Sequence, residues 1–474
     1  MNPLKIELLH SRYNSEGEAE RYVNSLSIKE NIRFFILVEP GLGYIIPPLK
    51  RRNPGAKIIS LHVESVNGIY APDSEWHPGM GITIQDFLES EIPGAEAADI
   101  KLIEWRPALK IFGDAYAALV AESAGFVKRL DAGFRTVKVF GRRWFSNFFK
   151  NLGLIRNIVY PSPVSASILV TGAGPGLEEV IPLISEEFKR GNLFILASSS
   201  SFMALSAHNL NPDMVLCTDG GNWAKLHIYE CFRKTSMCQK AAFPLATALT
   251  AALPSQCELM PILPICDGSL WQSLILKELN IPHIILPQRG TVSAQALDLS
   301  FALTDKKVFF AGMDMKINDI RSHVKPYSFD SLLEEKTLRI NPFYSQTYGR
   351  SLALNDGGSY AIYASWFEKQ IPCYPKRLHP LGENNPVFNS LEKNNLQIIS
   401  EKDPVKFKTV EFKHEGIISQ KALAIVEKEM KKPEQKITLQ KELNALIFPG
   451  IENINEEELL KTLRSLVLKK GMHG

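Results

Sequence analysis

The chain has 474 residues, more than one hydrophobic core normally serves, so two or three domains are expected. Its apolar content of 45% and charged content of 22% are typical of a soluble globular protein. A formal net charge of +3 argues against a dedicated nucleic-acid-binding protein, because such proteins usually carry a large basic excess.

The cysteines and the apolar segments indicate a cytoplasmic protein without a membrane span. The longest apolar window, residues 241–254, is shorter than the ~20 residues that cross a bilayer. The N-terminus lacks the basic stretch and apolar run of a signal peptide. Neither a C-x-x-C motif nor zinc-finger spacing occurs among the six cysteines, so reduced thiols are expected at Cys217, Cys231, Cys238, Cys257, Cys266 and Cys373.

The N-terminal part predicts a Rossmann-like unit. Strands are expected at residues 4–9, 34–38 and 57–63, with Gly41 and Gly43 in the loop after the second of them. Glu64 lies 21 positions after Gly43, near the place of a ribose-binding acid in Rossmann units. A bare G-x-G occurs in many βα turns, so the unit either binds a ligand of its own or serves as a scaffold.

Long helices are predicted over residues 107–157, and their end interleaves basic and aromatic residues between Arg142 and Lys150. Such a stretch either stacks nucleic-acid bases or docks its aromatic side chains on a neighbouring domain. The Pro161-Ser162-Pro163 cluster then marks a boundary. We predict three parts: an N-terminal domain with helical linker over residues 1–157, a central domain over 158–390 and a helical tail over 391–474.

The central domain opens with the most informative stretch of the chain. A predicted strand ending at Thr171 meets a glycine loop, and a helical pattern begins at Leu177. Glycines allow backbone amides to approach an anion, and a helix N-terminus adds partial positive charge. This order predicts a nucleotide phosphate site, although an ordinary glycine-rich βα turn is the other interpretation. The candidate cradle comprises Gly172, Ala173, Gly174, Pro175 and Gly176.

Strands alternate with helices through this domain, which predicts a mostly parallel sheet with ligands at the carboxyl ends of its strands. Strands are expected at residues 193–197, 214–218, 241–245, 259–263, 284–286 and 307–311. Polar residues or glycines follow several of them, and we expect Ser198, Asp219, Gly290 and Asp314 to converge with the glycine loop on one cleft.

The roles of the two aspartates stay open at this point. Asp219 and Asp314 suit Mg²⁺ beside a triphosphate, a ribose hydroxyl, a substrate amine or a cap at a strand end. A long segment after Asp314 reads as irregular and contains His323, which suits a general base at neutral pH or a simply solvated side chain. The same segment contains Tyr344 and Tyr348.

Together these blocks resemble the motility accessory factor (Maf) family of flagellin glycosyltransferases, whose central domain is shared with archaeal 6-hydroxymethylpterin diphosphokinases (MptE-like proteins). The resemblance covers roughly residues 5–375 and excludes the tail. In that family a serine usually follows the Gly-Pro of the loop, where this chain has Gly176. The similar stretches are residues 172–178, 195–219, 290–293 and 308–314 with His323, together with residues 10–14, 41–44 and 136–152.

The resemblance implies a sialyltransferase-like central domain that moves a nonulosonic (sialic-acid-like) sugar from a CMP-activated donor to Ser or Thr of flagellin, in support of motility. Asp219, Ser198 and Ser199 would position the nucleoside, and Thr291 would line the cleft, with Gly290 and Ser293 in the same donor site. His323 would deprotonate the acceptor, Tyr344 or Tyr348 would contact the leaving phosphate, and no metal is required. Two alternatives remain. One is ATP-dependent pyrophosphoryl transfer to a pterin, with Mg²⁺ on Asp219 and Asp314. The other is an inactive flagellin-binding factor, which the loss of a hydroxyl at Gly176 keeps open. The oligomeric state stays open.

Overall fold

The computed structural model divides the chain into two compact units. Unit 1 comprises residues 1–141 and 444–454, and unit 2 comprises residues 142–443 and 455–474. The predicted division into three parts stays a prediction, since compactness alone assigns most of the tail to unit 2. The structure describes residues 8–29, 32–92, 100–189, 193–221, 224–233, 240–247, 260–356, 358–393, 407–413, 417–451 and 454–468.

Unit 1 is built on a parallel sheet of four strands in the order β3-β2-β1-β4. The apolar run of β1 is buried along its whole length, as expected for a strand covered on both faces. Residues 4–7 of the first predicted strand lie outside the described residues, and Leu8 and Leu9 lie in a turn. The elements are α1 (Ser15–Ser25), β1 (Phe34–Val38), α2 (Ile46–Arg52), β2 (Lys57–Leu61), β3 (Ser74–Trp76), α3 (Ile84–Glu91), β4 (Ile100–Glu104), α4 (Leu109–Phe112) and α5 (Asp114–Leu152).

Unit 2 is built on a sheet of ten strands, which confirms the predicted mostly parallel α/β domain. Its order is β13-β12-β6-β7-β8-β9-β10-β5-β14, with β11 beside β10, and the pairings are parallel except that of β14 with β5. The strands are β5 (Asn157–Val159), β6 (Ser167–Thr171), β7 (Leu193–Ser198), β8 (Met214–Leu216), β9 (Ala241–Pro244), β10 (Ile262–Cys266), β11 (Ile284–Ile285), β12 (Val308–Ala311), β13 (Leu378–Pro380) and β14 (Thr409–Glu411).

Helices cover this sheet and form the C-terminal region, as the periodicity of the sequence predicts. Short 3₁₀ turns at Pro78–Met80, Arg106–Ala108, Ile371–Cys373 and Pro386–Phe388 complete the set. The helices of unit 2 after α5 are α6 (Leu177–Lys189), α7 (Phe202–Ala207), α8 (Lys225–Arg233), α9 (Leu270–Glu278), α10 (Val292–Leu303), α11 (Asp330–Glu335), α12 (Phe343–Asp356), α13 (Ser359–Gln370), α14 (Ile418–Glu429), α15 (Pro433–Ile447) and α16 (Glu456–Leu468), and α15 runs four residues into unit 1.

The strand order of unit 2 reverses at β6. From β6 the chain moves through β7, β8, β9 and β10 in one direction, and β12 then pairs with the opposite edge of β6. Parallel sheets commonly bind ligands at the carboxyl edge near such a reversal. The loops that leave β6 and β12 therefore meet side by side at the place where the sequence predicts the site.

The end of α5 packs into unit 2 through its aromatic side chains. Phe145, Phe148 and Phe149 are buried, and their rings lie 4.7 to 6.3 Å from that of Trp271 on α9. These phenylalanines thus belong to the core and are not exposed for stacking on nucleic-acid bases. Of the two interpretations of the segment from Arg142 to Lys150, the docking of its aromatic side chains agrees with the structure.

Two further expectations concern thiols and membranes. No disulfide joins the described cysteines, which are Cys217, Cys231, Cys266 and Cys373. Within the described ranges, no helix has both the length and the apolar character that a bilayer crossing requires.

Candidate functional site

Backbone amides of the glycine loop after β6 donate hydrogen bonds to the end of β12 and to the loop that follows it. The amide of Gly172 donates to the carbonyl of Ala311 at 2.8 Å, and that of Gly174 donates to the carbonyl of Gly312 at 2.8 Å. The amide of Gly176 donates to Oδ2 of Asp314 at 3.0 Å. Three donors of the predicted phosphate cradle thus already have partners inside the protein.

Asp314 lies directly against the glycine loop, in the space that side chains at Gly174 and Gly176 would fill. A Cβ at Gly174 or Gly176 would collide with its carboxylate, so the absence of side chains in the loop makes room for this aspartate. Asp314 is 1% exposed, and its Oδ1 has no hydrogen-bond partner among the described residues. Burial raises the pKa of Asp314, and the hydrogen bond from Gly176 opposes that rise.

The amides of Gly172, Gly174 and Gly176 therefore bond within the protein, and their binding of a nucleotide phosphate stays a prediction. The glycines do lie where an anionic group approaches the backbone, and in this structure that group is the carboxylate of Asp314. The family's usual serine has no room at Gly176, because its Cβ would meet Asp314 and would lie 2.7 Å from the carbonyl oxygen of Glu383. The missing side chain at Gly176 therefore leaves the space in which the Asp314 carboxylate packs.

The same loop anchors the segment that contains His323. The amide of Val324 donates to the carbonyl of Ala173 at 2.9 Å. Glu178, in the first turn of α6, accepts from the guanidinium of Arg321 at 2.8 Å and from the amide of Lys325 at 3.0 Å. The glycine loop is thus hydrogen-bonded both to the loop of Asp314 and to the segment of His323.

His323 lies in a packed, apolar and electropositive environment. Its ring stacks on that of Tyr327 with centroids 4.2 Å apart, and Nδ1 lies 2.8 Å from Oγ of Ser322. Burial lowers the pKa of His323 to about 3, with further lowering by Arg350, His227 and Lys325. The imidazole is therefore neutral near pH 7. A cavity of about 20 Å³ beside it has room for one water-sized group.

A larger pocket, of about 480 Å³, lies on the other side of Tyr327. Asp219, exposed after the end of β8, lines this pocket and accepts from the amide of Gly221 at 2.6 Å. We call this space the Asp219 pocket. Tyr327, Leu333 and Arg350 line both it and the small cavity, and the other lining residues are Ala224, His227, Phe329, Leu332 and Lys336.

Arg350 brings a cation to this shared wall. Its guanidinium lies 4.2 Å from the ring centroid of Phe329 and 5.1 Å from that of Tyr327, and it donates to the Tyr327 hydroxyl at 3.3 Å. No carboxylate among the described residues forms an ion pair with it. The Tyr327 hydroxyl also lies 3.3 Å from Nε2 of His227, whose pKa burial lowers to about 4.

The structure does not bring Tyr344 and Tyr348 to this pocket. The segment predicted to be irregular forms α12, on which these two residues share an exposed face, 63% and 44% exposed respectively. The other face of the same helix contains buried Thr347 and presents Arg350 to the pocket. Contact of these tyrosines with a leaving phosphate has no support from this geometry, and Tyr327 is the tyrosine at the site.

Of the remaining predicted residues, Ser198 and Thr291 have structural partners. Oγ of Ser198 lies 3.2 Å from Oγ of Ser201 in a buried hydroxyl network, and Ser199 is 8% exposed. Thr291 caps α10, because its hydroxyl accepts from the amide of Ala294 at 3.0 Å. Gly290, Thr291 and Ser293 follow β11 and do not line the Asp219 pocket.

The described residues do not fit a magnesium site made by Asp219 and Asp314. Asp219 lines the open pocket, whereas Asp314 is buried against the glycine loop. Within the described ranges, no three or more His, Cys, Asp or Glu side chains converge as a metal would require.

Sequence comparison identifies the central part of the chain. Residues 142–319 match the family described as 6-hydroxymethylpterin diphosphokinase MptE-like, which confirms the predicted resemblance of the central domain. An uncharacterized protein of Treponema pallidum (strain Nichols) is 25% identical over 287 residues, which are 60% of this chain and 60% of that protein. The alignment thus spans three fifths of the relative's own length.

Among solved structures, a MAf glycosyltransferase from Magnetospirillum magneticum AMB-1 aligns with a TM-score of 0.49 at 9% identity. The alignment covers 97% of this chain and 83% of that one.

Proposed function

We propose that this protein, whose residues 142–319 match the MptE-like family, is a glycosyltransferase that moves a nonulosonic sugar from a CMP-activated donor to Ser or Thr of flagellin in the cytoplasm. The observation that carries the proposal is the Asp219 pocket, which combines a volume of about 480 Å³ with the guanidinium of Arg350 on its wall. The resemblance of the sequence motifs to flagellin glycosyltransferases supports the choice of substrates.

The pocket suits a nucleoside monophosphate. A guanidinium binds phosphate through paired hydrogen bonds, and Arg350 with Lys336 supplies two cations for one phosphate. Phe329, Leu332 and Leu333 offer apolar surface to a base or sugar ring. Asp219 is placed to accept hydrogen bonds from ribose hydroxyls.

His323 is the proton acceptor in this proposal. With Nδ1–H donating to Ser322, the lone pair of Nε2 receives the proton of the acceptor hydroxyl. The acceptor oxygen bonds to the anomeric carbon, and the bond from that carbon to the CMP phosphate oxygen breaks. A phosphate bound beside Arg350 offsets one charge that depresses the pKa of His323, so donor binding makes the imidazole more basic.

Pyrophosphoryl transfer is the second candidate, because the family description names a diphosphokinase. That reaction needs Mg²⁺ to bridge the triphosphate, and carboxylates to hold the metal. Asp219 lines an open pocket to which Asp314, buried against the glycine loop, does not contribute, and this weighs against it. A non-catalytic flagellin-binding factor is the third reading, and it needs neither the pocket nor His323.

Transfer to purified, unglycosylated flagellin tests the proposal directly. The full-length protein is incubated with CMP-activated nonulosonic acid and flagellin, and intact-protein mass spectrometry follows the acceptor. The proposal predicts a mass increase of one sugar per modified hydroxyl, without added metal, and its loss in Arg350→Gln but not in Arg339→Gln. An unmodified flagellin, together with a thermal shift caused by Mg-ATP alone, would overturn it in favour of the diphosphokinase. An unmodified flagellin that still binds the protein would favour the binding factor.

A further inference from the structure

Unit 1 contains a pocket of its own at the carboxyl ends of β1 and β2. Its volume is about 240 Å³. Buried Gly41, Ser60 and His62 contribute to its floor, and exposed Asn67 and Glu75 contribute to its rim. The loop after β1 and the rim segment are held together by amides of Ile69 and Tyr70, which both donate to the carbonyl of Leu42 at 2.9 and 3.1 Å.

His62 of this floor pairs with a buried acid behind it, Glu39. Glu39 is 0% exposed, and its carboxylate accepts from Nδ1–H of His62 at 3.1 Å and from the amide of Val63 at 2.6 Å. This arrangement leaves Nε2 of His62 for another partner. Glu39 also has a φ of 50°, a conformation that is strained for a residue with a side chain and that concentrates at functional sites.

Ser60 supplies an independent sign of a ligand. It lines the pocket, is 0% exposed, and its Oγ has no hydrogen-bond partner among the described residues. A buried hydroxyl without a partner is costly, so such groups in folded proteins usually meet a water or a ligand. Ser60 and His62 are two positions apart along an extended stretch and therefore face the same side of the sheet.

The lining excludes an anionic ligand. No lysine or arginine occurs among the described residues that line this pocket, while Glu75 adds a negative charge to the rim. The following helix, α2, is seven residues long and has Pro47 and Pro48 in its first turn, which lack amide hydrogens for a phosphate. A nucleotide or an acidic sugar therefore has no counter-charge here.

We propose that this pocket binds a neutral, hydroxyl-rich small molecule of monosaccharide size. The volume lies below the ~300–1,000 Å³ typical of pockets for drug-sized ligands, which favours one sugar ring. Ser60, His62 and Asn67 donate to or accept from ring hydroxyls, and Tyr70 offers a flat apolar surface. The site lies in unit 1 and is independent of the proposed donor pocket in unit 2.

Saturation-transfer NMR on the full-length protein tests this site, with glucose, galactose and N-acetylglucosamine as neutral probes and N-acetylneuraminic acid as the acidic probe. We expect at least one neutral sugar to bind and the acidic sugar not to compete with it. Ser60→Ala should weaken binding about three- to tenfold, the range for one lost hydrogen bond, without lowering the melting temperature, because it removes an unpartnered buried hydroxyl. Ser25→Ala, which removes a hydroxyl from the same unit outside the pocket, is the matched control.

Two results would overturn the proposal: none of the three neutral sugars binds, or their binding is unchanged in both Ser60→Ala and Asn67→Ala. Asn67 is exposed at the rim, so its substitution does not threaten folding. Since CMP binding in unit 2 is measured separately, failure of this site and failure of the proposed transferase are distinguishable.

Discussion

The amide of Gly176 donates to Oδ2 of Asp314 at 3.0 Å, across the two loops that leave the adjacent strands β6 and β12. This hydrogen bond joins the glycine loop to the aspartate after β12, the two motifs that most strongly suggest a nucleotide site. A donor of one motif and an acceptor of the other are therefore paired within the protein. The cations available to a phosphate lie instead on the wall of the Asp219 pocket. The glycine loop therefore has a structural role in this arrangement, and the proposed function assigns ligand binding to the side chains of the Asp219 pocket.

The first prediction concerns the close approach of Gly174 to Asp314. Gly174→Ala should destabilise unit 2 by about 1–3 kcal/mol, because its Cβ collides with the Asp314 carboxylate. Combining it with Asp314→Ala should recover part of that loss. A double-mutant cycle from thermal or denaturant unfolding measures the coupling, which we expect to exceed about 0.5 kcal/mol. Strictly additive effects would show that the two residues do not meet.

The second prediction is a pH dependence of stability from Asp314. Burial raises its folded pKa above the ordinary 3.8, so the folded protein holds a proton that the unfolded chain has released. The stabilisation is complete below pH 3.8 and is lost as the pH rises through the folded pKa. Asp314→Asn keeps an acceptor for Gly176 and should remove this loss. Melting temperatures of both proteins across that pH range should diverge as the pH rises, and parallel curves would contradict the assignment.

The third prediction has the opposite sign and concerns His323. The folded pKa of His323, about 3, lies below the ordinary 6.5, so between these two pH values the unfolded chain binds a proton that the folded protein does not bind. Stability from this residue should fall as the pH drops from about 6.5 towards 3. Over this pH range the melting temperature of His323→Asn should vary less with pH than that of His208→Asn, which changes an exposed histidine of the same unit. An equal slope in both variants would mean that His323 titrates normally.

The fourth prediction separates the tyrosines of the segment after β12. Tyr344→Phe and Tyr348→Phe should leave transfer to flagellin within about twofold of wild type, because both hydroxyls lie on the exposed face of α12. Tyr327→Phe should lower transfer to flagellin by more than either of these substitutions, since the Tyr327 hydroxyl contacts Arg350 and His227. Mass spectrometry of flagellin under initial-rate conditions makes the comparison. Loss of transfer in Tyr344→Phe with an unaffected Tyr327→Phe would reverse the assignment.

The sequence predicts the sheet well because buried parallel strands have a strong local signature. The five apolar or β-branched residues of Phe34–Val38, and the strand that ends at Thr171, are visible without tertiary information. The alternation of strands and helices predicts the parallel sheet, whereas the reversal at β6 is visible only once the strand order is known. Asp219 at the end of a strand is for the same reason a sound sequence-based candidate.

The rest of the site depends on contacts that no local pattern reveals. A glycine loop that receives a phosphate and one that receives Asp314 have the same spacing, and the difference lies 138 positions away in the sequence. Arg350 was missed because the segment around it reads as irregular, although Thr347 and Ser351 are buried on the same helix. The one available signal was the three- and four-residue spacing of these positions on a helix face.

Calorimetric titration of CMP into matched variants tests the central claim, that the nucleotide phosphate binds at Arg350 and not at the glycine loop. We predict that Arg350→Gln weakens CMP binding at least about tenfold, as expected for a charge-assisted hydrogen bond of about 1.5–3 kcal/mol, while Arg339→Gln and Asp314→Asn bind like wild type. Undiminished binding in Arg350→Gln together with stronger binding in Asp314→Asn, which removes the negative charge beside the loop, would contradict the account and return the phosphate to the loop of Gly172 to Gly176.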